Sequence, residues 1–237
     1  MTESLFLLTT VMTLFYIRTH KWILAGITGA FATFTRMVGL VLLVVAVVEF
    51  VVHYKVFIRI KCREWAEVFQ LIGKKGVWIL LMLLGSATYL YINWQITGDP
   101  FRFLYYQRTH WHQGFWYFGG VMISQFEHLA HSNRILVGTV FIPNLFAFTL
   151  TILLLLYASI KRLNLTHIVY LLGYTFVSFS LSWLLSGARY MVAAAPLFIF
   201  LAYFIEKQPP FHILVPLLFL VGLLVTMRWY VLGMPVF

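Results

Sequence analysis

Residues 22–54, WILAGITGAFATFTRMVGLVLLVVAVVEFVVHY, decide how this chain is organised. As a single α-helix this stretch would be about 50 Å long, whereas the hydrocarbon core of a bilayer is about 30 Å thick. Basic residues flank it on both sides: Arg18, Lys21, Lys55, Arg59, Lys61 and Arg63. Positively charged loops prefer the cytoplasm, so both flanks are expected on one side. The stretch is therefore predicted to cross the membrane twice, with a turn near Thr35 and Arg36 at the opposite face.

The composition of the 237-residue chain is that of a polytopic membrane protein. Hydrophobic residues make up 62% of it and charged residues 10%, whereas a soluble domain is about 25% charged. Such a chain cannot cover a globule with polar surface, which excludes a soluble enzyme, a disordered tail and a disulfide scaffold. The single cysteine, Cys62, excludes an intramolecular disulfide and a cysteine-based metal site. The net charge of +10 indicates topology and attraction to anionic lipid rather than a nucleic-acid partner.

Eight continuously apolar runs are predicted to be membrane helices, because an alternating pattern would be needed for a barrel. They cover residues 4–17, 22–35, 37–54, 77–94, 136–157, 165–183, 189–205 and 212–229. With both termini outside, 11 Lys and Arg residues fall inside and 6 outside. The sequence thus predicts one all-α membrane domain, residues 1–237, of about eight transmembrane helices. Its cytoplasmic loop, 55–76, is basic and amphipathic and is predicted to lie on anionic headgroups.

The external loop, 95–135, contains TGDPFRFLYYQRTHWHQGFWYFGG at residues 97–120. Asp99 followed by Pro100 predicts a helix start, with Asp99 as the N-cap. The aromatic residues that follow, Trp111 among them, are typical of an interfacial anchor helix. The alternative is contact with a sugar or a lipid headgroup, because aromatic faces also stack on the apolar C–H faces of sugars.

Acidic residues are scarce, and three are predicted on the outer face: Glu3, Asp99 and Glu127. A catalytic base of carboxylate type on that face must be one of them. Glu49 lies inside an apolar run, where a carboxylate is a candidate functional group, a protonated acid or the partner of His53 four residues on. His128 and His131 lie near Glu127 without matching a zinc motif, and the sequence predicts neither a metal site nor a bound cofactor.

Arg36 and Arg189 each lie in a tight turn between two apolar runs, FATFTRMVGL and LSGARYMVAAAPLF. An arginine at that depth costs at least a few kcal/mol unless it is solvated or paired. Snorkelling to the interface is one interpretation. The other is binding of an anion, because the guanidinium fork suits a phosphate. Both turns are predicted on the outer face, and Tyr190 adds a hydroxyl beside Arg189.

Three segments resemble the C-fold (GT-C) polyprenyl-phosphate-sugar glycosyltransferases. The first is TESLFLLTTVMTLFYIRTHKWILAGITGAFATFTRMVGLVLL, whose later part is similar to the family pattern "AG…GA…A.LTR..GL". TGDPFRFLYYQRTHW is similar to the "GDP…F…Q…W" loop of mannosyltransferases related to the second mannosyltransferase of GPI-anchor assembly, which matches Gln107 and Trp111 to that motif. SGARYMVAAAPLFIFLA is similar to the late "PRY…PLF…LA" motif, with Ala188 where proline is frequent. The three segments occur in the family's order.

The resemblance implies a GT-C-like helical bundle that takes mannose from a polyprenyl- or dolichyl-phosphate donor on the outer or lumenal face. It implies an inverting displacement in which a carboxylate, Asp99 or Glu3 here, deprotonates the acceptor. Arg36, Arg189, Tyr190, Trp111 and Gln107 would then bind the lipid phosphate and the substrate. The family carries its essential acid in a large first outer loop, which this sequence does not have. We therefore expect a truncated frame or a divergent relative, and no mannose transfer by the 237-residue chain alone.

Two further functions remain open from the sequence. A transporter or flippase would suit eight helices with a buried Glu49, although no inverted repeat is visible. A non-catalytic membrane partner subunit would need no site of its own. In each case the predicted location is the plasma membrane of a prokaryote or the endoplasmic reticulum membrane of a eukaryote.

Overall fold

The computed structural model describes residues 2–182 and 186–233, and all the regular secondary structure in these two ranges is helical. The helices are α1 (Thr2–Arg18), α2 (Trp22–Thr35), α3 (Val41–His53), α4 (Val56–Lys61), α5 (Trp65–Lys74), α6 (Met82–Thr97), α7 (Arg102–His110), α8 (Phe118–His131), α9 (Arg134–Leu136), α10 (Ile142–Ile160), α11 (Leu165–Ser178), α12 (Gly187–Val192), α13 (Ala195–Glu206) and α14 (Phe211–Val231). 3₁₀ segments, Met37–Leu40 and Gly76–Leu81, lead into α3 and α6, and a π-helical turn, Val137–Phe141, leads into α10. The predicted all-α class is confirmed for the described residues.

In the part of the chain that the structure describes, three helical stretches are long and apolar enough to cross a membrane. They are Gly76–Thr97, Arg134–Ile160 and Phe211–Val231, of 22, 27 and 21 residues. Four shorter apolar helices, Trp22–Thr35, Met37–His53, Leu165–Ser178 and Ala195–Glu206, have 10–17 residues. Fourteen residues, the length of α2, rise only about 21 Å, less than the hydrocarbon thickness. Helix length therefore supports a membrane-associated protein with three candidate crossings.

Helix boundaries follow the apolar runs closely where a turn signal interrupts them. Arg36 has an extended backbone, φ −150° and ψ 129°, between α2 and the 3₁₀ turn before α3, so the predicted turn is confirmed. The run 189–205 is in fact two helices, because α12 ends at Val192 and α13 begins at Ala195. Pro196 lies in the first turn of α13, and because it has no N–H and its ring clashes with the carbonyl four residues earlier, a helix cannot continue unbroken from Val192 through it. The helix predicted over 165–183 is shorter, because α11 ends at Ser178, and residue 183 lies outside the described residues.

The contacts divide the chain into two compact units, which are described separately. Unit 1 is Met1–Gln107 with Asn164–Tyr174, and unit 2 is Arg108–Leu163 with Thr175–Phe237. Unit 1 contains α1 to α6, most of α7 and the first part of α11. Unit 2 contains α8 to α10 and α12 to α14.

In unit 1, α2 is the central helix. It packs antiparallel against α1, where the Thr13 hydroxyl donates to Thr28 at 3.0 Å. On another side it packs against α6 so closely that a Cβ added at Gly85 would lie 1.8 Å from the Ala30 carbonyl oxygen. Gly29 meets the Met82 side chain in the same way. Small residues at such an interface let two membrane helices approach and gain dispersion contacts along their length.

The two ends of unit 1 differ in chemistry. Trp22, Tyr54 and Lys75 meet at one end, because the Tyr54 hydroxyl accepts hydrogen bonds from the Trp22 indole at 3.1 Å and the Lys75 amine at 3.3 Å. We call this the basic end; it comprises residues 18–22, 53–55, 74–78 and 164–167. The other end of α2 carries Arg36, and we call the region of Glu3, Phe6, Thr10, Arg36 and Tyr170 the Arg36 end.

The two predicted loops contain helices of their own. Residues 55–76 form α4 and α5, which an ion pair of Arg59 with Glu67 joins. Large apolar side chains project from them, with Phe57 76% and Phe69 69% exposed. Residues 95–135 form α7 and α8, and α8 buries Val121, Met122 and Gln125. In unit 2, α10 packs against α12 and α13 and buries Asn144, Thr151 and Leu154 among other residues.

Candidate functional site

Arg36 and Glu3, two residues that the sequence assigned to separate roles, lie together at the Arg36 end. Glu3 is in the first turn of α1, and its carboxylate oxygen is 3.9 Å from an Arg36 Nη nitrogen. Both side chains are largely buried, at 24% and 21% exposure. The guanidinium also lies 6.0 Å from the centre of the Phe6 ring, one turn along α1 from Glu3. An acid and a cation thus lie side by side in an apolar setting, where their electrostatic effect is larger than in water.

Two buried hydroxyls lie close to this ion pair. Thr10 and Tyr170 have no exposed surface, and neither hydroxyl has a hydrogen-bond partner within the described part of the chain. Tyr170 faces Thr10 without hydrogen-bond geometry and is within electrostatic range of Arg36. Its ring stacks on Tyr174, which in turn stacks on Phe6. A buried hydroxyl without a partner costs about 1–3 kcal/mol, so these two groups gain from pairing with each other or with a polar ligand near Arg36.

Arg189 and Tyr190 lie in α12 of unit 2, whereas Arg36 belongs to unit 1. Arg189 is exposed and Tyr190 is half-buried. Their turn is fixed from α10, because the side-chain Oδ1 of Asn144 accepts a hydrogen bond from the Ala188 backbone N–H at 2.9 Å. The Asn144 amide in turn donates to Gln125 on α8 at 3.4 Å. A buried amide pair therefore positions the backbone immediately before Arg189.

The aromatic part of the external loop is pinned to the segment that follows α11. The Trp116 N–H donates to the Ser180 carbonyl at 2.9 Å, and the Ser182 N–H donates to the Gly114 carbonyl at 2.8 Å. This pairing leaves the large rings outside: Trp111, Phe115, Trp116 and Tyr117 are 63–77% exposed. Gln107 is also exposed, on α7. The pairing could not be predicted from the sequence, since it joins residues more than sixty positions apart through single backbone hydrogen bonds.

The sequence predicts that Asp99 is the N-cap of a helix that begins at Pro100, whereas in the structure Pro100 and Phe101 form a turn and the helix begins two residues later. The Asp99 carboxylate accepts a hydrogen bond from the Phe101 N–H at 2.9 Å, directly before α7 begins at Arg102. Gly98 before it ends α6 in a left-handed conformation, with φ 73°. The side chain of Asp99 therefore has a structural task in the chain reversal between α6 and α7.

Glu49 has three partners that the sequence did not reveal. It accepts a hydrogen bond from the Thr166 hydroxyl at 2.6 Å, and lies 3.3 Å from His20 Nε2 and 3.8 Å from Arg18. His53, the partner expected from its spacing, instead stacks on the His20 ring at 3.5 Å between centroids. These contacts join the α1–α2 turn, α3 and the start of α11 at the basic end.

The histidines of the external loop have local partners. His131 Nδ1 lies 3.0 Å from the Glu127 carbonyl oxygen, and His128 Nδ1 lies 3.3 Å from the Ser132 hydroxyl. The His128 ring also stacks on Phe141. Among the described residues no group of three or more His, Cys, Asp and Glu side chains is arranged to hold a metal ion.

Comparison with known proteins adds no relative: no family model, no curated protein and no solved structure matches this chain at a significant level. The class of this protein is therefore defined by its fold and by the polar residues that the fold brings together. Over residues 2–182 and 186–233 the protein is all-helical, with three helices long and apolar enough to span a membrane and two separate polar regions in unit 1.

Proposed function

We propose that this chain is a membrane glycosyltransferase-like protein that binds a polyprenyl- or dolichyl-phosphate mannose donor at the Arg36 end. The observation that carries the proposal is the contact of Glu3 with Arg36 beside the two buried, unpartnered hydroxyls of Thr10 and Tyr170. An acid, a guanidinium and two hydroxyls together offer the groups that a phosphate leaving group and a sugar hydroxyl require.

The proposed topology is a GT-C-like bundle of eight crossings with the Arg36 end outside. Support comes from the basic end, where both flanks of residues 22–54 meet at Tyr54. The start of α11 joins them there, through the hydrogen bond of Thr166 to Glu49. In this scheme the shorter apolar helices are crossings as well, and residues beyond their helical ends complete the passage.

The proposed chemistry is a single inverting displacement. The acceptor hydroxyl oxygen forms a bond to the anomeric carbon as the bond from that carbon to the phosphate oxygen breaks. The acceptor proton passes to a carboxylate, Glu3, and the polyprenyl phosphate leaves from the opposite face of the sugar with the electron pair, so the sugar must enter between Glu3 and Arg36 and open their 3.9 Å contact. Arg36 stabilises the charge that grows on the departing phosphate, an interaction that is strong where water is excluded.

The resemblance assigns Arg189 and Tyr190 to donor binding as well, and both lie in α12 of unit 2. Trp111 and Gln107, which match the resembling loop motif, are exposed and available to contact a sugar. Asp99 is the weaker candidate for the base, because its carboxylate already accepts the Phe101 N–H.

The alternative of a transporter rests on Glu49, and its surroundings favour a fixed role. Three side chains from two other segments hold the carboxylate. A coupling site must instead exchange its partners during transport. The proposal of a transferase therefore takes precedence over that of a transporter or a partner subunit.

Photo-crosslinking of the purified chain to a benzophenone-bearing polyprenyl phosphate tests donor binding. Arg36→Gln is expected to lower the crosslinking yield about tenfold, because a charge-assisted hydrogen bond to the phosphate is lost. Arg36→Lys should recover only part of it, since a point charge cannot replace the fork. The matched control is Arg102→Gln, which removes a cation that lies over the Tyr105 ring on the same predicted face. Unchanged yield in Arg36→Gln, or an equal fall in Arg102→Gln, would contradict the proposal.

Tyr170→Phe separates binding from folding at the same place. The hydroxyl has no partner within the described residues, so its removal should leave the melting temperature unchanged or higher. The crosslinking yield should nevertheless fall about three- to tenfold, the effect of one hydrogen bond. A lower melting temperature with unchanged crosslinking would assign the hydroxyl to the fold and not to the donor.

Transfer of labelled mannose to a mixed acceptor extract is expected to give no product with the 237-residue chain alone, and if product does form, variants of the two candidate acids distinguish between them. Loss of product in Glu3→Gln but not in Asp99→Asn supports Glu3 as the base. Loss in Asp99→Asn at an unchanged melting temperature would assign the base to Asp99 instead. Product formation by the unmodified 237-residue chain would itself contradict the expectation, drawn from the resemblance, that it is inactive alone.

A further inference from the structure

A basic pocket opens at the basic end of unit 1, at the opposite end of α2 from Arg36. It has a volume of about 360 Å³ and lies between the first turn of α2 and the turn that leads into α6. Its lining residues are His20, Lys21, Trp22, Ile23, Leu24, Lys74, Lys75 and Trp78. Three lysines and a histidine thus surround a space whose lining includes no carboxylate.

The acids near this pocket are engaged elsewhere. Glu49, which contacts His20, is also held by Thr166 and Arg18. Glu64 and Glu67, which flank the start of α5, both pair with Arg59. The positive charge of the pocket is therefore not balanced by a neighbouring carboxylate of these segments.

The first turn of α2 adds to the attraction for an anion. No side chain caps it, and it contains no acidic residue. The backbone N–H groups of a first helical turn have no acceptor inside the helix and carry partial positive charge. Trp22, Ile23 and Leu24, the first three residues of the helix, line the pocket.

The two tryptophans of the pocket point to a lipid as the source of that anion. Tryptophan favours the boundary between headgroups and hydrocarbon. Trp22 donates to the Tyr54 hydroxyl and Trp78 to the Lys74 carbonyl, so both indoles are fixed with their polar edges bonded. The adjoining α5 exposes Trp65, Phe69 and Ile72, as expected of a helix that lies in a membrane surface.

We propose that this pocket binds the phosphate headgroup of an anionic phospholipid, at the face opposite to the Arg36 end. Lys21 and Lys74 contact the phosphate. Lys75, which also donates to Tyr54 and lies over its ring, closes one side. The bound lipid fixes the α1–α2 turn against the start of the α6 segment. This site does not depend on the proposed transferase function.

Native mass spectrometry of the purified chain with phosphatidylglycerol, in a zwitterionic detergent, tests the proposal. The double variant Lys21→Gln, Lys74→Gln should weaken binding about twentyfold, since each lysine near an anionic headgroup contributes about fivefold. The matched control, Lys61→Gln with Arg63→Gln, removes the same charge from exposed positions outside the pocket. It should leave the affinity within about twofold.

Three outcomes would overturn the proposal. One is the absence of a phosphatidylglycerol complex above the level seen with phosphatidylcholine. Another is equal weakening in the two double variants, which would mean diffuse attraction to a basic surface. The third is displacement of the lipid by glycerol phosphate at similar concentration, which would make the ligand a soluble phosphate. If the glutamine variant does not fold, Lys21→Arg with Lys74→Arg replaces it and must retain binding.

Discussion

Glu49 is the residue at which the burial of charge is most evident in this molecule. Its side chain is only 10% exposed, and it is held by a threonine, a histidine and an arginine. Removing one partner of a buried charged group is costly, because the remaining polar groups lose their acceptor. The carboxylate thus connects three segments of the chain: the α1–α2 turn, α3 and the start of α11.

We predict that Glu49→Ala lowers the free energy of unfolding by about 2–3 kcal/mol, chiefly because the buried Thr166 hydroxyl loses its acceptor. Glu49→Gln keeps an acceptor oxygen and should cost less. The apparent melting temperature in detergent reports both. Equal melting temperatures for Glu49→Ala and the parent protein would show that the contacts of Glu49 do not stabilise the fold.

At Asp99 the hydrogen-bond acceptor and the negative charge can be removed separately. Asp99→Ala removes the oxygen that accepts the Phe101 N–H and should cost about 1 kcal/mol. Asp99→Asn keeps that oxygen and should leave the melting temperature almost unchanged. Thermal unfolding of the two variants side by side is the measurement. A large destabilisation in Asp99→Asn would mean that the charge, rather than the turn, is what the fold requires.

At the scale of helices, the contact of α2 with α6 depends on glycine. Gly85→Ala would place a methyl group 1.8 Å from the Ala30 carbonyl oxygen, so the helices must move apart. Overpacking of this kind costs about 1–3 kcal/mol, even though alanine favours a helix by about 1 kcal/mol over glycine. Gly222→Ala on α14 is the control, because nothing lies within 4 Å of the added Cβ there.

We therefore predict that Gly85→Ala lowers the melting temperature while Gly222→Ala leaves it unchanged or raises it. Both variants make the same substitution in an apolar helix, so the difference between them isolates the helix contact. A Gly85→Ala protein as stable as the parent would show that α2 and α6 do not pack at this distance in detergent.

The positions of the helices could be predicted from the sequence better than the contacts between them. The turn at Arg36 and the boundaries of α2 and α3 follow from apolar runs and from charge. The break at residues 193–194 was missed because Pro196 lies within a run that is apolar throughout. The contacts of Glu49 with His20 and Thr166 could not be predicted from the sequence, since they depend on which segments meet at one end of unit 1. The same holds for Glu3 and Arg36, whose meeting follows from the antiparallel packing of α1 and α2.

At the scale of the whole molecule, the native Cys62 is a ready topology probe, since it is exposed and lies between α4 and α5. We predict that a membrane-impermeant maleimide labels Cys62 only after cells are permeabilised. A Cys62→Ser, Gln113→Cys protein should instead be labelled in intact cells, because the external loop is predicted outside. Labelling of Cys62 in intact cells, or of the residue-113 cysteine only after permeabilisation, would refute the proposed orientation.

The packing of α2 on α6 has a consequence for how the chain assembles. The two helices run in the same direction, since Gly26 meets Trp78 and Leu81 whereas Gly85 meets Ala30 and Thr33. Two parallel neighbours cannot arise from one hairpin, so the chain must first turn back through α3. During synthesis the glycine-lined side of α2 has no mate until some fifty further residues have been made. Unit 1 is completed later still, because the start of α11, which donates the Thr166 hydroxyl to Glu49, is made only after α6 and the whole external loop.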